Sequence, residues 1–238
     1  MRSSLRNGMI VGVVAALLLG AAGARSGIWT LTIPRSEGTF AWTFSRAAGT
    51  TAYLALTLDL LFGLFLSTGA ADRWIARAHS VDLHRFLSLA ALILTATHAL
   101  ALLGDSYIGF DALDLAVPFL AGAHHRIATS LGILALYLAI VVQVSFALRA
   151  QIGQSVWRRL HYASFGVFAL ATIHGIAAGT DTQQLWMRLT YFLAASSVGA
   201  LTVWRISRAR CSTGSPGERV AGASLIGRVM VDTHGARE

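Results

Sequence analysis

The polarity pattern of the chain is one of long apolar runs separated by short polar segments. Continuous runs fall at approximately 8–24, 47–68, 83–103, 126–148, 159–178 and 187–206. Most reach the roughly 20 residues needed to cross a hydrocarbon core about 30 Å thick. Because the runs are continuous and not alternating, they predict helices and not the strands of a β-barrel. The expected fold is therefore all-α, a polytopic membrane bundle of about six transmembrane helices. The first run is the shortest, and it reads in two ways. "MRSSLRNGMIVGVVAALLLGAAGARS" has a basic start, an apolar stretch and a small-residue ending at Ala24. That suits a retained span, the favoured reading, or a cleavable signal peptide. On either reading the segment after Ala24 emerges on the outer side.

Composition supports this picture. Of 238 residues, 55% are hydrophobic and 13% are charged, too little charged surface for a soluble domain of this length. The net charge of +8 would suggest nucleic acid in a soluble protein. Here membrane topology accounts for it, since cytoplasmic loops collect positive charge, and no nucleic-acid partner is expected. All 19 basic residues are Arg. With the N-terminus inside, the inner segments hold most of them, including Arg73, Arg77, Arg85, Arg149, Arg158, Arg159, Arg205, Arg208 and Arg210. The outer segments hold only Arg25, Arg35, Arg46, Arg126 and Arg188. A multi-pass plasma-membrane protein with both termini cytoplasmic is expected. Trp29, Trp42 and Trp186 would mark the outer interface, and Trp74, Trp157 and Trp204 the inner one. Residues 207–238, rich in Gly, Ser and Arg, read as a cytoplasmic tail with little structure of its own. The single cysteine, Cys211, excludes an intrachain disulfide, a Cys-based iron–sulfur site and C-x-x-C-H haem attachment.

Polar groups inside a span are costly and point to function. Four of the eight histidines fall within spans: His84 and His98 in 83–103, His161 and His174 in 159–178. Both spans run from inside to outside, so His84 and His161 share an inner depth, and His98 and His174 share an outer one. At 1.5 Å per residue the two depths are about 20 Å apart. His98 lies only some 40° around an ideal helix from His84, and Ser88, Ala91 and Thr95 follow the same face with small side chains. His174, in contrast, lies about 140° from His161, which asks for a bend, a wide turn or different ring rotamers. Neutral imidazole ligates iron, copper, zinc and nickel, but this spacing forbids one site for all four rings. Two bis-histidine haems satisfy the depth pairing, and such iron has no open position, which favours electron transfer. The fifth-span rotation leaves a one-haem arrangement open. Arg85, Arg158 and Arg159 beside the inner histidines are either partners for haem propionates or ordinary positive-inside anchors.

The H-x13-H pattern in one span, followed two spans later by H-x12-H, resembles the ferric reductase-like transmembrane domain. That superfamily includes iron reductases, NADPH oxidase membrane domains and the haem-binding subunit of the bacterial methionine sulfoxide reductase system. The motifs are "LHRFLSLAALILTATH" and "WRRLHYASFGVFALATIHGIAAGTD", with "FSRAAGTTAYLAL" and "DALDLAVPF" as supporting context. The resemblance covers about residues 40–206, preceded by an N-terminal segment at 1–39. It implies a b-type cytochrome in which His84 with His161, and His98 with His174, each ligate one haem b. The family's flavin- and NADPH-binding domains have no counterpart in the 32 residues after the last span, which lack a Gly-rich strand–turn–helix fingerprint. The implied donor is then a separate cytoplasmic flavoprotein reductase or membrane quinol. The acceptor is external: ferric iron, another protein or oxygen. The chain would be an oxidoreductase component embedded among membrane lipids. A different class of function, a histidine-based proton or metal transporter without haem, fits the same four residues.

Other intramembrane polar groups have simpler expectations. Asp59 would pair with a basic group, hydrogen-bond within the bundle or serve a proton path. Gln143 would bond between helices. His124 and His125 would sit at the outer mouth, and His79 and His234 have no evident role. Gly166 and Gly175 would either admit a haem face or allow close helix packing.

Overall fold

The computed structural model describes residues 40–69, 76–105, 108–120 and 126–213. The run at 8–24, Trp29, Trp74, His124, His125 and the expected tail beyond Thr213 lie outside the described residues. Among the described residues the regular structure is helical, in the order α1 (Phe40–Thr68), α2 (Arg77–Leu103), α3 (Ala112–Ala116), α4 (Arg126–Ala147), α5 (Arg149–Ile152), α6 (Gln154–Tyr162), α7 (Ser164–Ala178) and α8 (Leu185–Thr213). A 3₁₀ turn at Thr180–Gln183 joins α7 to α8. Among the described residues five stretches are long and apolar enough to cross a membrane: Phe40–Thr68, Arg77–Leu103, Arg126–Ala147, Gln154–Ala178 and Leu185–Arg210. They coincide with the five runs expected from 47 onward.

The helices outrun the apolar stretches that announce them. α1 starts at Phe40 and not at 47, where Phe40 and Phe44 stack one turn apart at 5.9 Å. α8 continues past 207, the expected start of an unstructured tail, to Thr213. The Ser207 hydroxyl donates to the Val203 carbonyl at 2.9 Å, and the Arg208 guanidinium lies 4.8 Å over the Trp204 ring. No Gly or Pro interrupts the segment between Arg205 and Gly214. An apolar run marks where lipid begins, not where helix propensity ends.

The run expected at 159–178 is two helices. α6 ends at Tyr162, and the Ala163 N–H bonds three residues back to the Leu160 carbonyl at 3.0 Å. That contact tightens one turn in 3₁₀ fashion before α7 begins. The described part of the connection between α2 and α4 is also ordered by side chains: the Phe119 N–H, at φ 67°, donates to the Ser130 hydroxyl at 2.7 Å. The Tyr137 hydroxyl donates to the Ala116 carbonyl, so the loop is tied to α4 at two points.

α1 and α2 pack as a close antiparallel pair, α4 packs along α7, and α1 also meets α7 and α8. The apolar core lies on the α1–α7–α8 side. There Tyr53 stacks on Phe168 at 5.8 Å, meets Tyr191 edge-on at 5.2 Å and shares a 3.1 Å hydrogen bond with Thr172. Such contacts satisfy the phenol while burying its ring. Outward, Leu54, Leu58, Phe86, Ile93, Phe192 and Val203 are exposed, as suits helices surrounded by hydrocarbon. The other side of the bundle, between α1, α2, α4 and α7, holds an open cleft lined by Leu56, Ala91, Ala135 and Val167, among others.

Candidate functional site

His84 and His98 stand on α2, His161 on α6 and His174 on α7. The fold brings them together in the two pairs that depth alone suggested. The rings of His84 and His161 have centroids 6.0 Å apart at 88°, and those of His98 and His174 are 6.2 Å apart at 71°. α2 is uninterrupted, so its two histidines are separated by about 21 Å along the axis. The break at Ala163 lies between His161 and His174. The rotation of an ideal helix therefore does not govern that pair, and both rings reach their partners.

Three of the four rings sit in seats of one design. His98 Nδ1 lies 2.8 Å from the Ser45 carbonyl, His84 Nδ1 3.1 Å from the Asp59 carbonyl, and His174 Nδ1 2.7 Å from the Ala128 carbonyl. Four residues after each acceptor comes a glycine: Gly49, Gly63 and Gly132. In a helix the carbonyl of residue i already accepts the N–H of residue i+4. A side chain at i+4 would cover that oxygen, whereas glycine leaves it open to a second donor. A Cβ at Gly49 would lie 2.8 Å from His98 Nδ1, at Gly132 2.8 Å from His174 Cε1, and at Gly63 3.2 Å from His84 Cε1. The seats on α1 repeat after fourteen residues, the same interval that separates His84 from His98 on the antiparallel α2. With Nδ1–H given to a carbonyl, Nε2 is the nitrogen left as an acceptor or metal ligand.

His161 is held differently. It stacks on Trp157 at 5.1 Å and 19°, one helical turn earlier on α6. The same indole carries the Arg149 guanidinium over its ring at 4.5 Å, and Phe146 meets it edge-on at 6.4 Å. Trp157 Nε1 is buried without a hydrogen-bond partner among the described residues.

The remaining expectations divide. Asp59 lies against His84, its Oδ1 2.7 Å from Nδ1. Gln143 does bond between helices, accepting from the Ser88 hydroxyl at 2.7 Å. The stripe Ser88, Ala91 and Thr95 lines a cleft between the two histidine tiers, about 600 Å³ including its open mouth, with Gln143 and Val167 opposite. Gly166 faces Leu138 and Gly175 faces Tyr191, so both serve helix packing. Of the arginines singled out, Arg85 lies 4.9 Å over the Phe146 ring, the Arg159 guanidinium donates to the Ser155 carbonyl at 3.5 Å, and Arg158 is exposed. Arg205, read only as a topology marker, donates to the Tyr162 hydroxyl at 3.1 Å beside His161. At the end of the bundle nearer His98, Arg46 pairs with Asp181 through two guanidinium contacts, one of them 3.0 Å from Nε to Oδ2.

The donor set fits haem. With imidazole nitrogen about 2 Å from a metal, as for zinc, two rings on opposite sides of one ion have centroids about 6 Å apart. Both pairs meet that value with Nδ1 engaged on three of the four rings. Among the described residues no group of three or more His, Cys, Asp or Glu side chains is placed to hold a metal ion. A compact structural zinc site needs four such ligands, so pairs are what a metal would find here. No family model, no curated protein and no solved structure matches this chain.

Proposed function

We propose that the protein is a transmembrane b-type cytochrome of the ferric reductase-like kind, moving electrons between the two faces of the plasma membrane. The observation that carries this reading is the equal spacing of the two rings in each tier, 6.0 and 6.2 Å. His84 and His161 would hold one haem b, and His98 and His174 a second. When bound, each haem iron supplies one-electron Fe(III)/Fe(II) chemistry.

The chain's own residues supply orientation and shielding. The carbonyls of Ser45, Asp59 and Ala128 fix three imidazole tautomers, and Trp157 fixes the plane of the fourth ring. The small side chains of Ser88, Ala91 and Thr95 keep space open between the tiers. The surrounding apolar helices exclude water and keep the local dielectric low, which makes each nearby charge count for more. The arginines Arg77 and Arg85 on α2, Arg149 on α5, Arg158 and Arg159 on α6 and Arg205, Arg208 and Arg210 on α8 support assigning the His84 tier to the cytoplasmic side. A cytoplasmic flavoprotein reductase or membrane quinol donates there, and an external acceptor, ferric iron or a protein, takes electrons from the His98 tier.

The test is optical. Purified protein is expected to show a b-type haem spectrum on dithionite reduction, diminished in His84→Ala and in His98→Ala. A folded, colourless protein that instead supports metal- or pH-dependent flux in vesicles would establish the transporter reading.

A further inference from the structure

The two tiers share the seat design but differ in charge. At the outer tier the groups holding Nδ1 are neutral: the Ser45 carbonyl and hydroxyl on His98, and the Ala128 carbonyl on His174. At the inner tier the seat residue is Asp59, whose backbone oxygen and Oδ1 both approach His84 Nδ1, at 3.1 and 2.7 Å. Asp59 is buried, and because the His84 Nδ1–H is aligned on the backbone oxygen, Oδ1 lies against the ring nitrogen without a hydrogen bond to it or to any other described residue. Gly63, one turn further along α1, lets the ring come close enough to meet both oxygens.

We infer that Asp59 acts through His84 to hold the inner site at a lower reduction potential than the outer, so that an electron runs outward down a step built into α1. The inference rests on the haem reading above. A carboxylate beside the distal nitrogen of a ligating imidazole raises the ligand's basicity and favours the more positive metal state. In a low-dielectric interior that preference is weakly screened. Arg205 pulls the other way, but its guanidinium is engaged on Tyr162 and not on a ligand ring. Among the described residues neither outer ring has a comparable anion in contact with it. Asp59 is thus a positioning and tuning residue, not one that touches the electron's donor or acceptor.

The experiment is an optical redox titration of the purified, haem-loaded full chain. The inner wave is identified as the one lost in His161→Leu. Expected are two waves with the inner one lower. Asp59→Asn should raise the inner midpoint and leave the outer one in place, while Asp59→Glu should keep the inner midpoint low. An unmoved inner wave in Asp59→Asn, or an equal displacement of both waves, overturns the role of the carboxylate. If Asp59→Asn does not accumulate, the order of waves in the unaltered protein decides, and an inner wave above the outer overturns the inference. Two bound haems with either of these results leave the cytochrome reading standing. A protein without haem removes both.

Discussion

The outer histidine pair is held by neutral groups alone, two helix carbonyls and the Ser45 hydroxyl, whereas the inner pair has a carboxylate beside its seat on one side and an indole on the other. His98 and His174 each donate to a carbonyl exposed by a glycine one turn later, and both rings are pinned by neutral, rigid groups. His84 has the same seat with a negative charge added, and His161 rests on Trp157. Equal ring separations have thus been reached by different means. The outer tier is set by close packing, and the inner tier by electrostatics and stacking. Mutations should sort accordingly.

The largest difference is expected from the glycine seats. Gly49→Val puts methyl groups into the space of a ring already 2.8 Å from an added Cβ, and Gly63→Val meets a ring edge at 3.2 Å. Overpacking of this kind costs about 1–3 kcal/mol, and Gly49→Val should sit at the upper end. Gly49→Val is expected to abolish the outer haem signal, while Gly63→Val weakens the inner one. Haem content per chain together with thermal unfolding in detergent checks both. Equal damage at the two positions would erase the distinction between the tiers.

A middle-sized effect is expected at Trp157. Trp157→Leu removes the stacked partner of His161, worth about 1 kcal/mol for an aromatic pair beyond its buried area. Haem should still bind, but the low-temperature electron paramagnetic resonance signal of the inner site should broaden as His161 loses its fixed plane. The outer signal should be unchanged. A change confined to the outer signal would contradict the stacking geometry.

The smallest effect is expected at the outer end of the bundle. Arg46 and Asp181 join α1 to the turn after α7, one residue from the Ser45 seat. The pair is partly exposed, so solvent screening limits it to about 0.5–1 kcal/mol. A double-mutant cycle of Arg46→Gln and Asp181→Asn should return a coupling of that size in thermal unfolding, with the inner haem unaffected.

Much of this arrangement was legible in residue order. Five of the apolar runs became membrane-length helices because continuous hydrophobicity over about 20 residues has few other solutions. The matched depths of His84 with His161 and of His98 with His174 followed from helical rise and alternating direction. The stripe of Ser88, Ala91 and Thr95 marked an open face because small residues at helical spacing leave space. The seats were not legible in the same way. Gly49, Gly63 and Gly132 lie on helices other than the histidines they support, and a glycine in an apolar helix reads first as a packing residue. The fourteen-residue interval shared by Gly49–Gly63 and His84–His98 was the available signal, and it acquires meaning only once α1 and α2 are known to be antiparallel neighbours. The break at Ala163 had no breaker residue to announce it. Trp157 looked like an interface anchor because its place one turn before His161 is informative only with the ring planes in view.

The two-tier assignment stands or falls on the haem-to-protein ratio of the purified chain, measured by pyridine haemochrome against quantitative amino-acid analysis. Two haems b per polypeptide are expected, falling to one in either His84→Ala or His98→Ala. A ratio of one in the unaltered protein, or no haem in a protein that is folded, would contradict it.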